Sequence, residues 1–298
     1  MFLLISFLGN TPRRKDILYS STGRSLDVYP PSPAATPVTM TPAAASTPDT
    51  VTMTPAPVVV FIYGGAWSSG DKETYTLLGK TLAEAGLMVV IPNYTLYPRG
   101  KIPTMLQEVG EAVEWTLAHC HEYGGDPNRV YVCGHSAGAQ LACMQRVLVA
   151  LEAGPTLGKV RGMIGLSGVY DIPVHLEFER GRGVDEVSGM ERACGSTQEG
   201  MAAYSPTLVV RGIGKADNSA AFGARIPKTL LLHGSGDGTV PHYSSQEFYQ
   251  ALQLVGADSQ LRIIPNVGHV DVVIGKTLSH SLLVSLTKTP LQPPHTFM

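Results

Sequence analysis

The chain has 298 residues, 44% hydrophobic and 15% charged, with 32 Gly and 22 Pro, which suits one large layered domain or two small ones rich in turns. Its 22 basic and 24 acidic side chains give a formal charge of −2; with no positive excess to neutralise phosphates, a general nucleic-acid binder is excluded. The four cysteines, Cys120, Cys133, Cys143 and Cys194, lack CxxC spacing, and two fall in apolar periodic segments, so they read as reduced, buried thiols and not as a disulfide framework.

The first element is an apolar stub, Phe2 to Leu8 (FLLISFL), within a leader of residues 1–12. A spanning helix needs about 20 apolar residues, and a signal peptide carries basic residues before its apolar core. The stub is expected to pack on the domain, a weak interfacial anchor being the alternative. Residues 13–30 then alternate apolar and polar side chains around Ser21 to Gly23, the pattern of a β-hairpin with one face in solvent.

Residues 31–57 contain seven Pro, seven Thr and six Ala, with Asp49 as the single charge, and repeat VTMTPA at 38–43 and 51–56. With almost nothing large to bury, this segment is expected to be a disordered linker lengthened by a local duplication.

From residue 58, six short apolar runs follow: VVVFIY (58–63), LMVVI (87–91), VYVC (130–133), MIGLS (163–167), TLLLH (229–233) and LRII (261–264). They alternate with helical patterns, such as Met105, Val109, Ala112, Val113, Thr116 and Leu117, or Leu141, Met144, Leu148 and Leu151. That rhythm predicts an α/β domain over 58–288, with a mostly parallel sheet and helices on both faces. Residues 170–225 break the rhythm and read as an insertion after a strand, where a lid or pocket wall would form. Residues 289–298 are expected to be a flexible tail.

The strongest chemical signal is Gly134-His135-Ser136-Ala137-Gly138, which follows the run VYVC and precedes a helical pattern. GxSxG in a strand–turn–helix context places a serine on a sharp turn, with glycines letting strand and helix approach while Oγ stays exposed. A serine hydroxyl needs a base, and the base needs a carboxylate to orient it. Both are expected after later strands, in the order acid then histidine: Asp237 in HGSGDGTVP and His269 in PNVGHVD. The donors for an oxyanion would be the amides of Ala137, Gly64 and Gly65, the last two in Tyr63-Gly64-Gly65-Ala66-Trp67.

Other candidates read less well. His119 and His121 sit at a helix end, where they favour its dipole, and Cys120 between them faces elsewhere, which argues against a metal site. His233 reads as a packed turn residue and His135 as too constrained to reach Oγ. Ser167 lacks the GxSxG spacing, and Asp271 is a helical capping residue.

With these motifs the chain resembles the α/β-hydrolase superfamily, in the hormone-sensitive-lipase-like branch whose turn reads HGGxW, and within it the isoprenylcysteine methylesterases. The similarity runs from about Val58 to Thr277 through YGGAW, IPNYTLYPRGKIPTM, EYGGDPNRVYVCGHSAGAQLA, GLSGVYD, AYSPT and RIPKTLLLHGSGDGTVP. It implies a triad of Ser136, Asp237 and His269, an oxyanion hole of Gly64, Gly65 and Ala137, and no metal or organic cofactor. The implied substrate is a small-molecule or lipidated-peptide ester, in particular the methyl ester of a prenylated cysteine, and not a nucleic acid. Kynurenine formamidase, a short-chain carboxylesterase and a non-catalytic receptor on the same fold are the alternatives. Relatives of the methylesterase associate with membranes through amino-terminal segments; here only the stub is present, so a cytoplasmic protein, at most peripheral on the endoplasmic reticulum or Golgi membrane, is expected. Tyr63 replaces the histidine that opens the family's turn, a change expected to affect packing more than chemistry, and the segment 170–205 matches only loosely.

Overall fold

The structure, a computed structural model, describes residues 12–32 and 54–274. The stub, most of the Pro/Thr/Ala-rich segment and the tail lie outside the described residues. Eight strands form one sheet: β1 Arg14–Leu18, β2 Ser25–Tyr29, β3 Ala56–Ile62, β4 Met88–Pro92, β5 Gly125–His135, β6 Val160–Leu166, β7 Lys228–Gly234 and β8 Ser259–Ile264. Each of the six apolar runs becomes one strand. Their order is β1-β2-β4-β3-β5-β6-β7-β8, with β4 to β8 parallel and the hairpin joined antiparallel through β2 to β4.

Two details differ from the sequence reading. Ala56 and Pro57, placed in the linker, belong to β3, because Ala56 N donates to Gly124 O at 2.8 Å and extends the ladder beside β5. The hairpin is not uniformly backed by solvent: β1 is largely exposed, but Leu26, Asp27, Val28 and Tyr29 of β2 are all buried, since β2 is flanked by strands on both sides. β1 itself carries a register shift between Arg14 and Ile17, with Asp16 at φ 57°.

β3 and β4 are buried from end to end, as strands covered on both faces must be. The helices are α1 Thr76–Glu84, α2 Ile102–His119, α3 Ala137–Glu152, α4 Ile172–Gly181, α5 Met190–Ala193, α6 Gln198–Ala203, α7 Pro206–Ile213, α8 Ser219–Gly223, α9 Tyr243–Leu254 and α10 Asp271–Ile274. In α2 the apolar stripe Met105, Val109, Ala112, Val113 and Thr116 is buried as its spacing predicts. In α3 it is not the stripe that governs: Ala137 to Met144 are buried without a break, whereas Leu151 is 47% exposed. α3 lies on β5 and β6 and is covered in turn by α2 and α7, so its first turns have no solvent face.

The insertion forms helices α4 to α8 and adds no strand. Ser205 ties it together, its Oγ accepting from Ile172 N at 2.9 Å and donating to Met201 O at 2.7 Å. No helix among the described residues is long and apolar enough to cross a membrane.

The chain adds β4 on one side of β3 and then returns to the other side for β5. In open α/β sheets such a reversal leaves a crevice beyond the carboxyl ends of the two strands, here β3 and β5. A buried ion cluster fixes the hairpin beneath this region. Asp27 is fully buried; it pairs with Arg13, and its Oδ1 lies 3.0 Å from Lys72 Nζ and accepts from Asp16 N at 2.9 Å. Lys72 Nζ also donates to Asp16 Oδ1 at 2.7 Å. Removing Asp27 leaves Lys72 paired with the more exposed Asp16 and Arg13 with Glu73, so the cost is that of lost hydrogen bonds between charged groups, about 1–3 kcal/mol, and not the larger one of a stranded charge. Asp27→Asn is therefore expected to lower the urea midpoint by a loss of that order, and an unchanged midpoint would contradict it.

Candidate active site

β5 ends at His135 and α3 begins at Ala137, so Ser136 alone turns the chain, at φ 54° and ψ −124°. This is a strained conformation for a residue with a Cβ. The flanking glycines make the turn sterically possible. A Cβ on Gly134 would lie 2.3 Å from Gly138 O, and one on Gly138 would lie 2.2 Å from Ile62 O. Ser136 N donates to Leu166 O at 2.9 Å, carrying the β5–β6 ladder one residue beyond the end of β5.

The loop after β3 closes on the same turn. A Cβ on Gly64 would stand 2.8 Å from Ser136 Cβ, so only glycine lets the chain approach so near. Gly65, at φ 130°, accepts on its carbonyl from Ser69 N and Ser69 Oγ, each at 2.9 Å. Trp67 Nε1 donates to Gln140 Oε1 at 2.9 Å, and Gln140 Nε2 donates to Tyr204 O at 2.7 Å. The Gly-rich loop, α3 and the insertion are thereby pinned to one another. Ala137 opens α3, where the first amides have no acceptor within the helix.

Tyr63 packs the base of the loop. Its ring stacks on Tyr94 with centroids 4.7 Å apart, its hydroxyl donates to Asn93 Oδ1 at 3.1 Å, and its carbonyl accepts from Tyr94 Oη at 2.9 Å. Stacking and two hydrogen bonds thus hold Tyr63 next to the glycines.

Asp237 follows β7 and His269 follows β8. Asp237 Oδ1 accepts from Thr239 N at 2.9 Å and Val240 N at 2.8 Å, and Oδ2 accepts from His269 Nδ1 at 2.8 Å. Burial raises the pKa of this carboxyl, but hydrogen bonds from His233, His269 and the Val240 amide outweigh it and hold the group far below the usual range. With its Nδ1 proton committed to Asp237, His269 keeps the Nε2 lone pair as its acceptor.

His135 joins the two halves of the site. Its Nε2–H donates to His269 O at 2.9 Å, and the two rings lie 4.7 Å apart. It is therefore a tether and not a base. Burial, reinforced by the nearby His269, pushes its pKa down to about 4. The unfolded chain binds this proton at about 6.5, so the folded state loses stability as pH falls from there to about 4. Thermal melts from pH 7 to 4.5 should show that decline in the wild type and a shallower one in His135→Gln; parallel curves would contradict it.

The structure joins Asp237 and His269 directly, sets Ser136, Ala137, Gly64 and Gly65 around one turn, and links the two groups through His135. Of the other candidates, His119 and Asp271 stand apart from this chemistry. His119 Nδ1 is paired with Glu122 Oε1 at 2.8 Å in a surface contact, and Asp271 Oδ2 accepts from Gly268 N at 3.1 Å as a cap. Among the described residues no group of His, Cys, Asp and Glu is placed to hold a metal. The sequence reading passed over Gln140, which anchors Trp67; Ser167, set aside there, is buried at φ 46° with no partner for its Oγ among the described residues. His233, read as a packed turn residue, is buried with Nε2 3.2 Å from Asp237 Oδ2; its spacing four residues before the acid was the available signal.

The family model BD-FAE matches residues 47–252. A probable isoprenylcysteine alpha-carbonyl methylesterase of Arabidopsis thaliana is 31% identical over 227 residues, covering 74% of this chain and 46% of the relative. An esterase of Mycobacterium tuberculosis is 29% identical over 228 residues, covering 72% of this chain and 53% of the relative. This chain therefore spans about half the length of the curated relatives it matches. The crystal structure of carboxyl esterase 2 from Tuber melanosporum superposes with a TM-score of 0.66 at 21% identity, covering 93% of this chain and 86% of that one. At that identity the likeness speaks for the fold, which is the α/β-hydrolase fold.

Proposed function

Because the chain belongs to the BD-FAE family and has the α/β-hydrolase fold, we propose that it is a serine carboxylesterase. One observation carries this: a serine strained onto the β5–α3 turn is tethered through His135 to a hydrogen-bonded Asp237–His269 pair. His269 Nε2 takes the proton as Ser136 Oγ attacks the ester carbonyl, and the amides of Gly64, Gly65 and Ala137 hold the resulting oxyanion. The proton then passes from His269 to the departing alcohol. Water, deprotonated by the same nitrogen, attacks the acyl group and releases the acid and Ser136.

The substrate we propose is the methyl ester of a prenylated cysteine, supported by the name of the Arabidopsis relative, 31% identical over 227 residues. The name of the mycobacterial relative, an esterase without a stated substrate, favours a second reading as a general short-chain carboxylesterase. Turnover of a prenylcysteine methyl ester, p-nitrophenyl acetate and N-formylkynurenine by the purified protein separates them. A kcat/KM for the prenylcysteine ester at least tenfold above the other two is expected. Equal or better turnover of either rival would overturn the choice of substrate, and hydrolysis of none of these or of other simple esters would overturn the esterase reading.

A further inference from the structure

Asp237 is approached by two histidines, and the mechanism above uses one. His233, at the end of β7, is fully buried. Its Nε2 faces two oxygens, Val240 O at 2.9 Å and Asp237 Oδ2 at 3.2 Å. Both are acceptors, so the ring proton belongs on Nε2. On the other side Nδ1 lies 2.7 Å from Ser245 Oγ, and Ser245, on α9, is also fully buried. A hydroxyl can donate there, leaving Nδ1 as the acceptor. The opposite tautomer would set a lone pair against Val240 O and Asp237 Oδ2 at once.

We propose that Ser245 and His233 are positioning residues behind the acid. The Ser245 hydroxyl fixes His233 as the Nε2–H tautomer. That proton is shared between Val240 O, which holds the acid loop, and Asp237 Oδ2, the same oxygen that orients His269. The proposal deepens the esterase reading, because these residues act on the reaction only through Asp237 and His269. Its chemical consequence concerns the base. A donor on Oδ2 draws off part of the carboxylate charge, so its loss concentrates that charge against His269 and makes the imidazole easier to protonate. Purely structural damage would lower activity without moving the titration of His269.

The test uses His233→Leu, His233→Gln and Ser245→Ala in the full chain. In His233→Leu, kcat should fall about tenfold with KM within about twofold, the size expected for one lost hydrogen bond to a charged group. The acid limb of kcat/KM should move to higher pH. His233→Gln, whose amide N–H can stand where Nε2–H stood, should recover most of both, and Ser245→Ala should shift the limb in the same direction. An unshifted limb in His233→Leu and Ser245→Ala would overturn the proposal, as would a glutamine variant no better than the leucine one. NMR of 15N-histidine-labelled protein provides an arm that needs no turnover. Protonated Nε2 and bare Nδ1 are expected for His233, together with a change in the His269 Nδ1–H resonance in Ser245→Ala. An Nδ1–H or imidazolium signature, or an unmoved His269 resonance, would overturn the proposal even if the protein hydrolyses no ester. Failure of the esterase reading is recognised separately, as hydrolysis that is absent from the wild type or that survives Ser136→Ala.

Discussion

Ser136→Ala is expected to remove ester hydrolysis almost completely, by roughly 10⁶-fold in kcat, the scale seen when a triad serine is lost. The reason is local. Among the residues gathered at the β5–α3 turn, Ser136 supplies the hydroxyl, and the neighbouring groups are amides, carbonyls and the His135 ring already committed to His269 O. What remains after the substitution is a pocket with oxyanion donors, which polarises a carbonyl but offers no attacking group. Substrate binding and the melting temperature should change little, because alanine faces the same positive φ as serine. Hydrolysis and labelling by a fluorophosphonate are the measurements. Substantial residual turnover would show that a different nucleophile operates, and failure of wild-type protein to label would favour a receptor on this fold.

The second large effect is expected from Asp237→Asn. An amide keeps an oxygen for the Thr239 and Val240 amides but turns an NH₂ toward His269 Nδ1 and His233 Nε2. Two donors then face each other. His269 relieves the conflict by moving its proton to Nε2, where it can no longer accept from Ser136, and kcat at neutral pH should drop about 10⁴-fold with the fold intact. Steady-state kinetics with a circular-dichroism control checks this; a loss of less than tenfold would remove Asp237 from the role of orienting acid.

Much of the site was legible because its parts are written next to strand ends. An apolar run followed by GHSAG, HGSGDG or PNVGHV marks where a parallel strand stops and a loop starts, and in this fold such loops meet at one edge. Spacing along the chain could not show which side chains face each other across that edge. His233 and His135 each sit within a few residues of a stronger candidate, and their hydrogen bonds follow from rotamer and burial. Asp27 was illegible for the opposite reason. Alternation along β2 places it on a polar face, but that face is turned inward and closed by Arg13, just before β1, and by Lys72, which comes from the segment after β3. The α3 stripe misled because periodicity presumes one solvent face, which the first turns of that helix lack.

The bulge in β1 bears on how copies of this protein meet. An outermost strand offers unpaired amides and carbonyls to any passing chain, and sheets grow into aggregates when that strand is flat and apolar. Here Arg14, Lys15 and Asp16 occupy it, the backbone is kinked at Asp16, and Lys15 is already engaged with Glu73 at 2.9 Å. A ninth strand arriving from another molecule would have to straighten the kink and break that pair. The sheet thus stops at this border, where the kink and the charged side chains oppose edge-to-edge pairing between molecules.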